Sequence, residues 1–399
     1  MTVLAIVRHY LPGYQSGGPV RSLTNLVERL GDELQFRIIT CDRDLVDDAP
    51  YAGVVIDDWN RVGKADVYYV SPRNRSIWRV ARLIRNTRHD VLYLNSFFDS
   101  IFTVKTVIAR RLGLFRRVPA ILAPRGEFSP GALNFDRWKK IAYLAVSLRL
   151  GLYRDLVWQA SSDVEAEDMR RTLDGFAEPL LLASNLPRPA SKEAIGVRGR
   201  SSGDTLRVVF LSRIAPKKNL VFALRVLQQV RVPVTFSIYG PVTDRGYWSE
   251  CRRLLDCLPN NVKAEYQGEV QSADVPRVLR AHDLFFLPTR GENYGHAIAE
   301  ALSVGTPALI ADTTPWRGLE EAGAGWDLPL EDAGRFARCV DRCAELGSEE
   351  YTAWRERVRR YAENRIGGQG AVEAHRRLFE TAIARSRYCG TEPTASWGP

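Results

Sequence analysis

Arg290-Gly-Glu-Asn-Tyr-Gly-His-Ala-Ile-Ala-Glu-Ala-Leu-Ser-Val-Gly-Thr-Pro307 decides the reading of this chain, because it sets Glu292 and Glu300 eight residues apart across the start of a predicted helix. An apolar run, Leu284-Phe-Phe-Leu-Pro288, precedes it, and a second, Pro307-Ala-Leu-Ile-Ala311, follows. Strand, helix, strand is the pattern of a parallel sheet, with the loop and helix N-terminus at the carboxyl edge of the strands. Ligands of open α/β folds bind at that edge, where unpaired N–H groups and the positive helix end face a crevice. Ala297, Ile298, Ala301 and Leu302 supply a buried helix face, and Gly305 stands where a helix-ending C′ residue belongs. Two carboxylates there suit a hydroxyl-rich ligand, since each accepts more than one O–H hydrogen bond.

A second strand-to-helix junction supports the first. Leu206-Arg-Val-Val-Phe-Leu211 reads as a buried strand, and a helical run begins at Val221, Leu224 and Leu227. Between them, Ser212-Arg213-Ile-Ala-Pro-Lys-Lys218-Asn219 carries Arg213 and Lys218, one a planar fork and the other a point charge, both suited to a diphosphate. Lys217 competes with Lys218 for the lysine role. The N-terminal half has a comparable junction: the strand Val3–Val7, the loop His9-Tyr-Leu-Pro-Gly-Tyr-Gln-Ser-Gly17-Gly18-Pro-Val20, then helical spacing through Leu23, Val27 and Leu30. Gly17 and Gly18 would let backbone amides approach a phosphate or a sugar. The spacing is not G-x-G-x-x-G, which argues against a dinucleotide oxidoreductase.

The glutamate pair, with the flanking strands and Gly-Thr-Pro, resembles the Glu-x7-Glu signature of retaining glycosyltransferases of the family-4 type. These have the GT-B architecture of two Rossmann-like domains facing each other across a cleft. The resemblance implies that Glu292 contacts the donor sugar and Glu300 the nucleotide ribose. It places Arg213 and Lys218 on the diphosphate, and Asn293, Tyr294, Gly295, Gly17 and Gly18 around the donor, with the backbone of Val270 near the base. Ala123-Pro-Arg125-Gly126-Glu-Phe-Ser-Pro-Gly-Ala-Leu133 occupies the place of the loop that meets sugar and acceptor. Many members have a histidine there; this chain has Arg125. The resemblance is specific over Leu206–Trp326 and thinner before it. It implies no metal and no cofactor, the nucleotide sugar being a co-substrate.

Length and composition fit. The 399 residues are comfortable for two domains, and 45% hydrophobic with 26% charged residues describe an ordinary globular chain. The expected division is a first domain at 1–187, a linker at 188–203 lacking apolar periodicity, and a donor domain at 204–364. A helical segment at 365–387 returns to the first domain, as the resemblance implies, before a tail at 388–399. The six cysteines show no Cys-x-x-Cys and no histidine partners, so zinc is not expected and free thiols are. The N-terminus shows no charged leader with an adequate apolar run, and no apolar stretch reaches membrane-spanning length.

The net charge of +9 is concentrated. Arg73 to Arg117 holds eleven basic residues against Asp90 and Asp99. Arg79, Arg82 and Arg85 recur beside Trp78, and Lys139 and Lys140 beside Trp138 open an apolar run ending near Arg154. That run is either a buried helix with a basic start or a surface helix docked on anionic lipid. Basic charge also suits nucleic acid, but no nucleic-acid motif accompanies it. The expected protein is a cytoplasmic enzyme, peripheral on the inner face of the cell membrane, moving a sugar to a growing surface glycan or lipid-linked acceptor. A nucleotide-sugar epimerase of the same architecture and a catalytically silent sugar-nucleotide-binding subunit are the alternatives. A glycan phosphorylase lacks a supporting pyridoxal-phosphate lysine context.

Overall fold

The computed structural model describes residues 1–13, 17–44, 47–134, 136–188, 204–366 and 369–389. The linker expected at 188–203 falls outside them except for Arg188, as does the tail from residue 390. The chain divides into two compact units, Met1–Leu186 with the C-terminal helix from Gln369, and Pro187–Gly368. Each is built on its own largely parallel sheet, giving the two Rossmann-like domains of the expected α/β fold.

The first unit runs β1 (Thr2–Ile6), α1 (Gly18–Leu30), β2 (Gln35–Cys41), β3 (Trp59–Val62), β4 (Ala65–Val70), α2 (Ile77–Asn86), β5 (Val91–Asn95) and α3 (Thr103–Arg111). It continues with β6 (Ala120–Ala123), α4 (Pro130–Asn134), α5 (Arg137–Arg149), β7 (Val157–Ala160), α6 (Asp163–Leu173) and β8 (Leu180–Leu182). The sheet order is β3-β4-β2-β1-β5-β6-β7-β8, parallel except where β3 pairs antiparallel with β4. Strands β1, β5, β6 and β7 are apolar and covered on both faces, so they read as near-continuous buried runs rather than as alternation. Val80, Ile84, Val107, Met169 and Leu173 cover one face, from α2, α3 and α6. Leu23, Leu26 and Val27 of α1 cover the other.

The second unit comprises β9 (Leu206–Leu211), α7 (Leu220–Leu227), β10 (Val234–Tyr239), α8 (Arg245–Leu255), β11 (Val262–Tyr266) and α9 (Val275–Arg280). Then come β12 (Leu284–Leu287), α10 (His296–Ser303), β13 (Ala308–Ala311), β14 (Gly325–Leu328), α11 (Ala333–Glu345) and α12 (Ser348–Ile366). Its six strands are all parallel in the order β11-β10-β9-β12-β13-β14. The last helix, α13 (Gln369–Cys389), belongs to the first unit: Leu378, Phe379 and Ala382 join the α1 side of its core. Phe379 meets Tyr93 edge to face at 5.6 Å.

The strand orders fix where a ligand can sit. In the second sheet β9 pairs with β10 on one side and β12 on the other, so the chain reverses its direction of winding there. In the first sheet the same reversal lies between β1 and β5. Connections leave a reversal point on opposite faces of the sheet and open a crevice beyond the strand ends.

Candidate functional site

The loops after β9 and β12 both emerge at the reversal point of the second sheet, and backbone hydrogen bonds join them. The Arg290 amide donates to the Lys217 carbonyl at 2.8 Å, and the Thr289 hydroxyl donates to the same oxygen at 3.1 Å. Thr313 in turn donates to the Thr289 carbonyl at 2.6 Å. This stitching places Lys218 Nζ directly on Glu292 Oε1, their side chains 14% and 12% exposed. A cation expected on the diphosphate and a carboxylate expected on the sugar therefore meet in one ion pair.

Lys217 lies beside that pair. Its pKa is lowered by partial desolvation, opposed by Glu292 and reinforced by Lys218 and Arg213. Its side chain stays exposed overall, so the shift carries no stability argument. The half-buried Arg213 thus shares the electrostatic neighbourhood of both lysines and Glu292.

Neighbouring strand ends hold the Arg213 loop in place. The Ser212 amide donates to Tyr239 O at 3.0 Å, Ile214 to Pro241 O at 2.8 Å, and Gly240 to Gly268 O at 2.9 Å. Gly240, with φ 135°, must be glycine, because a Cβ there would lie 2.0 Å from the Ser212 carbonyl oxygen. Val270 follows β11 on this edge, and its side chain packs against the core.

Helix α10 begins at Gly295, whose φ of 80° is left-handed and whose missing Cβ leaves room for Ile298 and Trp316. No side chain caps it. With Glu292 before the helix and Glu300 inside it, the α10 N-terminus carries the positive end of the peptide dipoles between the two carboxylates. Trp316 Nε1 donates to the Tyr294 carbonyl at 2.5 Å, fixing the loop. Burial, with the nearby charge of Glu300, raises the Tyr294 pKa, so its phenol stays protonated. Asn293 is half-buried in the same loop.

The far end of α10 is equally constrained. Gly305 and Thr306 donate to Leu302 and Ala301 carbonyls at 3.0 and 2.9 Å, closing the helix in a Schellman motif. Arg355 of α12, 6% exposed, donates to Val304 O at 3.4 Å and to Thr306 Oγ1, Arg280 O and His282 O at 3.3 Å. Thr289, Trp316 and Arg355 escape a sequence reading, because their partners come from elements distant in the chain.

The remaining expected residues lie in the first unit. Gly17 precedes α1 with φ 66°, and Gly18 begins it. Arg125 and Gly126 follow β6, and their polar groups are engaged within the unit. Arg125 donates to Asn95 Oδ1 at 2.8 and 3.1 Å, to Asn185 Oδ1 at 2.7 Å and to the Tyr93 hydroxyl at 2.6 Å. The Gly126 amide donates to Glu165 Oε1 at 2.5 Å. Tyr93 passes the chain on to Gln159 at 2.6 Å, and Gln159 Nε2 lies 3.3 Å from His375 Nε2 of α13. Burial lowers the His375 pKa to about 4. Glu127 accepts from the Ser96 hydroxyl at 2.6 Å and from the Phe97 and Phe98 amides at 2.5 and 3.1 Å. Burial nonetheless raises its pKa.

Among the described residues, no group of three or more His, Cys, Asp or Glu is placed to hold a metal ion. No helix among them is long and apolar enough to cross a membrane.

Residues 191–363, all within the second unit, match the family model for glycosyl transferases group 1. Over 171 residues the chain is 28% identical to a phosphatidyl-myo-inositol mannosyltransferase of Mycolicibacterium smegmatis, covering 41% of this chain and 43% of that protein. The fold is that of HepE from Anabaena, solved in complex with UDP and glucose (17% identity, TM-score 0.67, 96% of this chain and 100% of that one). WaaG, a glycosyltransferase involved in lipopolysaccharide biosynthesis, shares it at 12% identity and TM-score 0.64, over 94% and 98% of the two chains. The family match and the GT-B fold together support a glycosyltransferase.

Proposed function

We propose that the protein is a retaining, metal-independent glycosyltransferase of the family-4 type. It takes a hexosyl-type sugar from a nucleotide diphosphate donor and adds it to a growing surface glycan or lipid-linked acceptor. The observation that carries this reading is the meeting of Lys218 and Glu292 at the mouth of α10, beside Arg213 and Lys217. The group 1 match and the UDP and glucose bound to HepE support the donor class; the WaaG and mannosyltransferase relatives support the acceptor class.

Glu300 accepts the ribose hydroxyls, and Glu292 orients the sugar. Arg213 and Lys218 take the charge that develops on the diphosphate, in place of a metal. Asn293, Tyr294 and Gly295 shape the donor pocket, Val270 meets the base through its backbone, and Gly17 and Gly18 offer bare backbone amides to a phosphate or a sugar. The bond from the anomeric carbon to the diphosphate oxygen breaks, and the acceptor oxygen bonds to the same face of that carbon. The acceptor proton passes to the departing phosphate oxygen. Lys218 must serve both the diphosphate and Glu292, so donor binding redistributes its bonds between them. The enzyme works in the cytoplasm on the inner membrane face.

A nucleotide-sugar panel, screened by titration and followed by transfer assays with membrane extract as acceptor, tests this reading. Donor turnover that requires acceptor, with retained anomeric configuration, is the expected result. Interconversion of the donor without acceptor would identify an epimerase, and binding without turnover a silent subunit.

A further inference from the structure

We propose that a cavity of about 420 Å³ at the amino edge of the second unit's sheet holds an acidic sugar, a hexuronate unit of a glycan chain. The donor loops leave the carboxyl ends of β9 and β12, on the opposite edge of that sheet. This is therefore a second site, and its test requires no sugar transfer.

Three elements build the cavity. The loop that enters β14 contributes Gly323, the end of α11 contributes Arg342 and Leu346, and Glu350, Ala353, Trp354 and Arg357 share one face of α12. Trp326 and Trp354 form its inner wall, each 6% exposed, their rings meeting edge to face at 5.3 Å. The two indole N–H groups differ. Trp354 Nε1 donates to the Gly323 carbonyl at 2.9 Å and ties α12 to the loop. The Trp326 N–H makes no hydrogen bond among the described residues, although its ring is as deeply buried. A donor on a buried ring needs a partner, and here the partner comes from what enters the cavity.

The charges around the mouth select the ligand. Glu320 is paired with Arg335 at 2.7 Å. Among the described residues Arg342, Arg357 and Glu350 form no ion pair, and all three are exposed. The lining thus offers two guanidinium forks and one indole N–H against one carboxylate without a countercharge. The forks suit a planar carboxylate, which accepts paired N–H bonds. Glu350 accepts from hydroxyls, and Leu346 and Ala353 give a sugar ring an apolar surface. Inorganic phosphate would set its charge against Glu350 and leave that surface bare. A neutral sugar would leave both forks unused, and an aromatic acid would bring Glu350 no hydroxyl. A hexuronate satisfies all three. The volume lies within the range of about 300–1,000 Å³ usual for small-molecule sites, and the net charge of +9 favours an acidic glycan.

Calorimetric titration of the full chain with a hyaluronan tetrasaccharide, which carries glucuronate, tests this, with maltotetraose and inorganic phosphate as controls. The hyaluronan fragment should bind, and both controls should bind at least tenfold more weakly. The R342Q/R357Q variant should weaken the fragment at least tenfold, with melting temperature and nucleotide affinity unchanged. Ala353→Trp fills the cavity from an exposed position of α12 without removing a charge, and should weaken it as much. Should one of these variants melt early, the other decides. Glu300→Ala, at the donor site, should leave fragment binding unaltered. No binding by wild type overturns the proposal, as does undiminished binding by a folded cavity variant. Phosphate bound as tightly as the fragment would make the cavity an anion site only, and loss of binding in Glu300→Ala would move the glycan to the donor site; either result also overturns it.

Discussion

The two sheets reverse their winding in the same way, yet they use the polar groups near that edge differently. In the first unit, Arg125, Gly126, Glu127, Gln159 and Glu165 bond to one another's loops and to α13. They tie strand ends and the returning helix into one platform. In the second unit, Lys218, Glu292 and Arg213 converge on a loop mouth, and the backbone beneath, through Thr289, Arg290 and Lys217, does the tying. Side chains that hold a fold together are costly to divert to a ligand. Side chains held in place by backbone bonds can exchange partners cheaply. The contrast predicts that substitutions in the first network act on stability, and those in the second on donor chemistry.

The largest expected effect tests the second half of that contrast. Arg213→Ala or Lys218→Ala should lower turnover by about 100-fold or more, because each removes a few kcal/mol of charge stabilisation from the departing diphosphate. Melting temperature should change little. Full activity in either variant, or rescue by added magnesium, would break the account of the leaving group.

Next comes the first network. Arg125→Met strips hydrogen bonds from Asn95, Asn185 and Tyr93 and should cost about 2 kcal/mol of stability, read by urea unfolding. Nucleotide affinity should stay unchanged. A variant of normal stability that loses transfer would make Arg125 a ligand residue and erase the contrast.

The acid limb of stability sharpens the same point. His375 has a native pKa of about 4 against an ordinary value of 6.5. As pH falls through this window the unfolded chain binds the proton first, so stability is lost between about pH 6.5 and 4 and is level above it. The slope from this one group reaches at most about 1.4 kcal/mol per pH unit. His9, His89 and His282 are also lowered, chiefly by burial, and act in the same direction. Chemical unfolding across this range should therefore show a shallower acid slope in His375→Leu, with part of the slope remaining.

The smallest effect concerns the ion pair itself. Glu292→Gln releases Lys218, so affinity for a free nucleoside diphosphate should hold or rise a few-fold while transfer falls. Calorimetric titration alongside Lys218→Met and the double variant would reveal non-additivity, as expected for groups in contact. Strict additivity would mean that the pair does not couple sugar and diphosphate binding.

Much of the second unit was legible in the sequence. The β12–α10–β13 reading holds because buried parallel strands are continuous apolar runs and the helix between them keeps its period and its Gly305 ending. The resemblance favoured Lys218 over its rival Lys217 by spacing; the Lys218 side chain lies on Glu292, while the Lys217 carbonyl receives the Arg290 amide. The first network was out of reach, since Gln159 and His375 are 216 residues apart in the chain. Helix α5 resisted for another reason. Apolar residues on two faces blur its periodicity, so only packing distinguishes the covered face from the bare one.

The central claim is that the second unit holds a nucleotide diphosphate sugar through the α10 carboxylates and the cations of the β9 loop. Titrating a panel of UDP, GDP, ADP, CDP and dTDP into wild type and Glu300→Ala tests it most directly. One nucleotide should bind wild type, and Glu300→Ala should weaken it by about 10- to 150-fold, the equivalent of losing about 1.5–3 kcal/mol of ribose hydrogen bonding to a carboxylate. Equal affinity in the folded variant, or no binding of any nucleotide by wild type, would contradict the account.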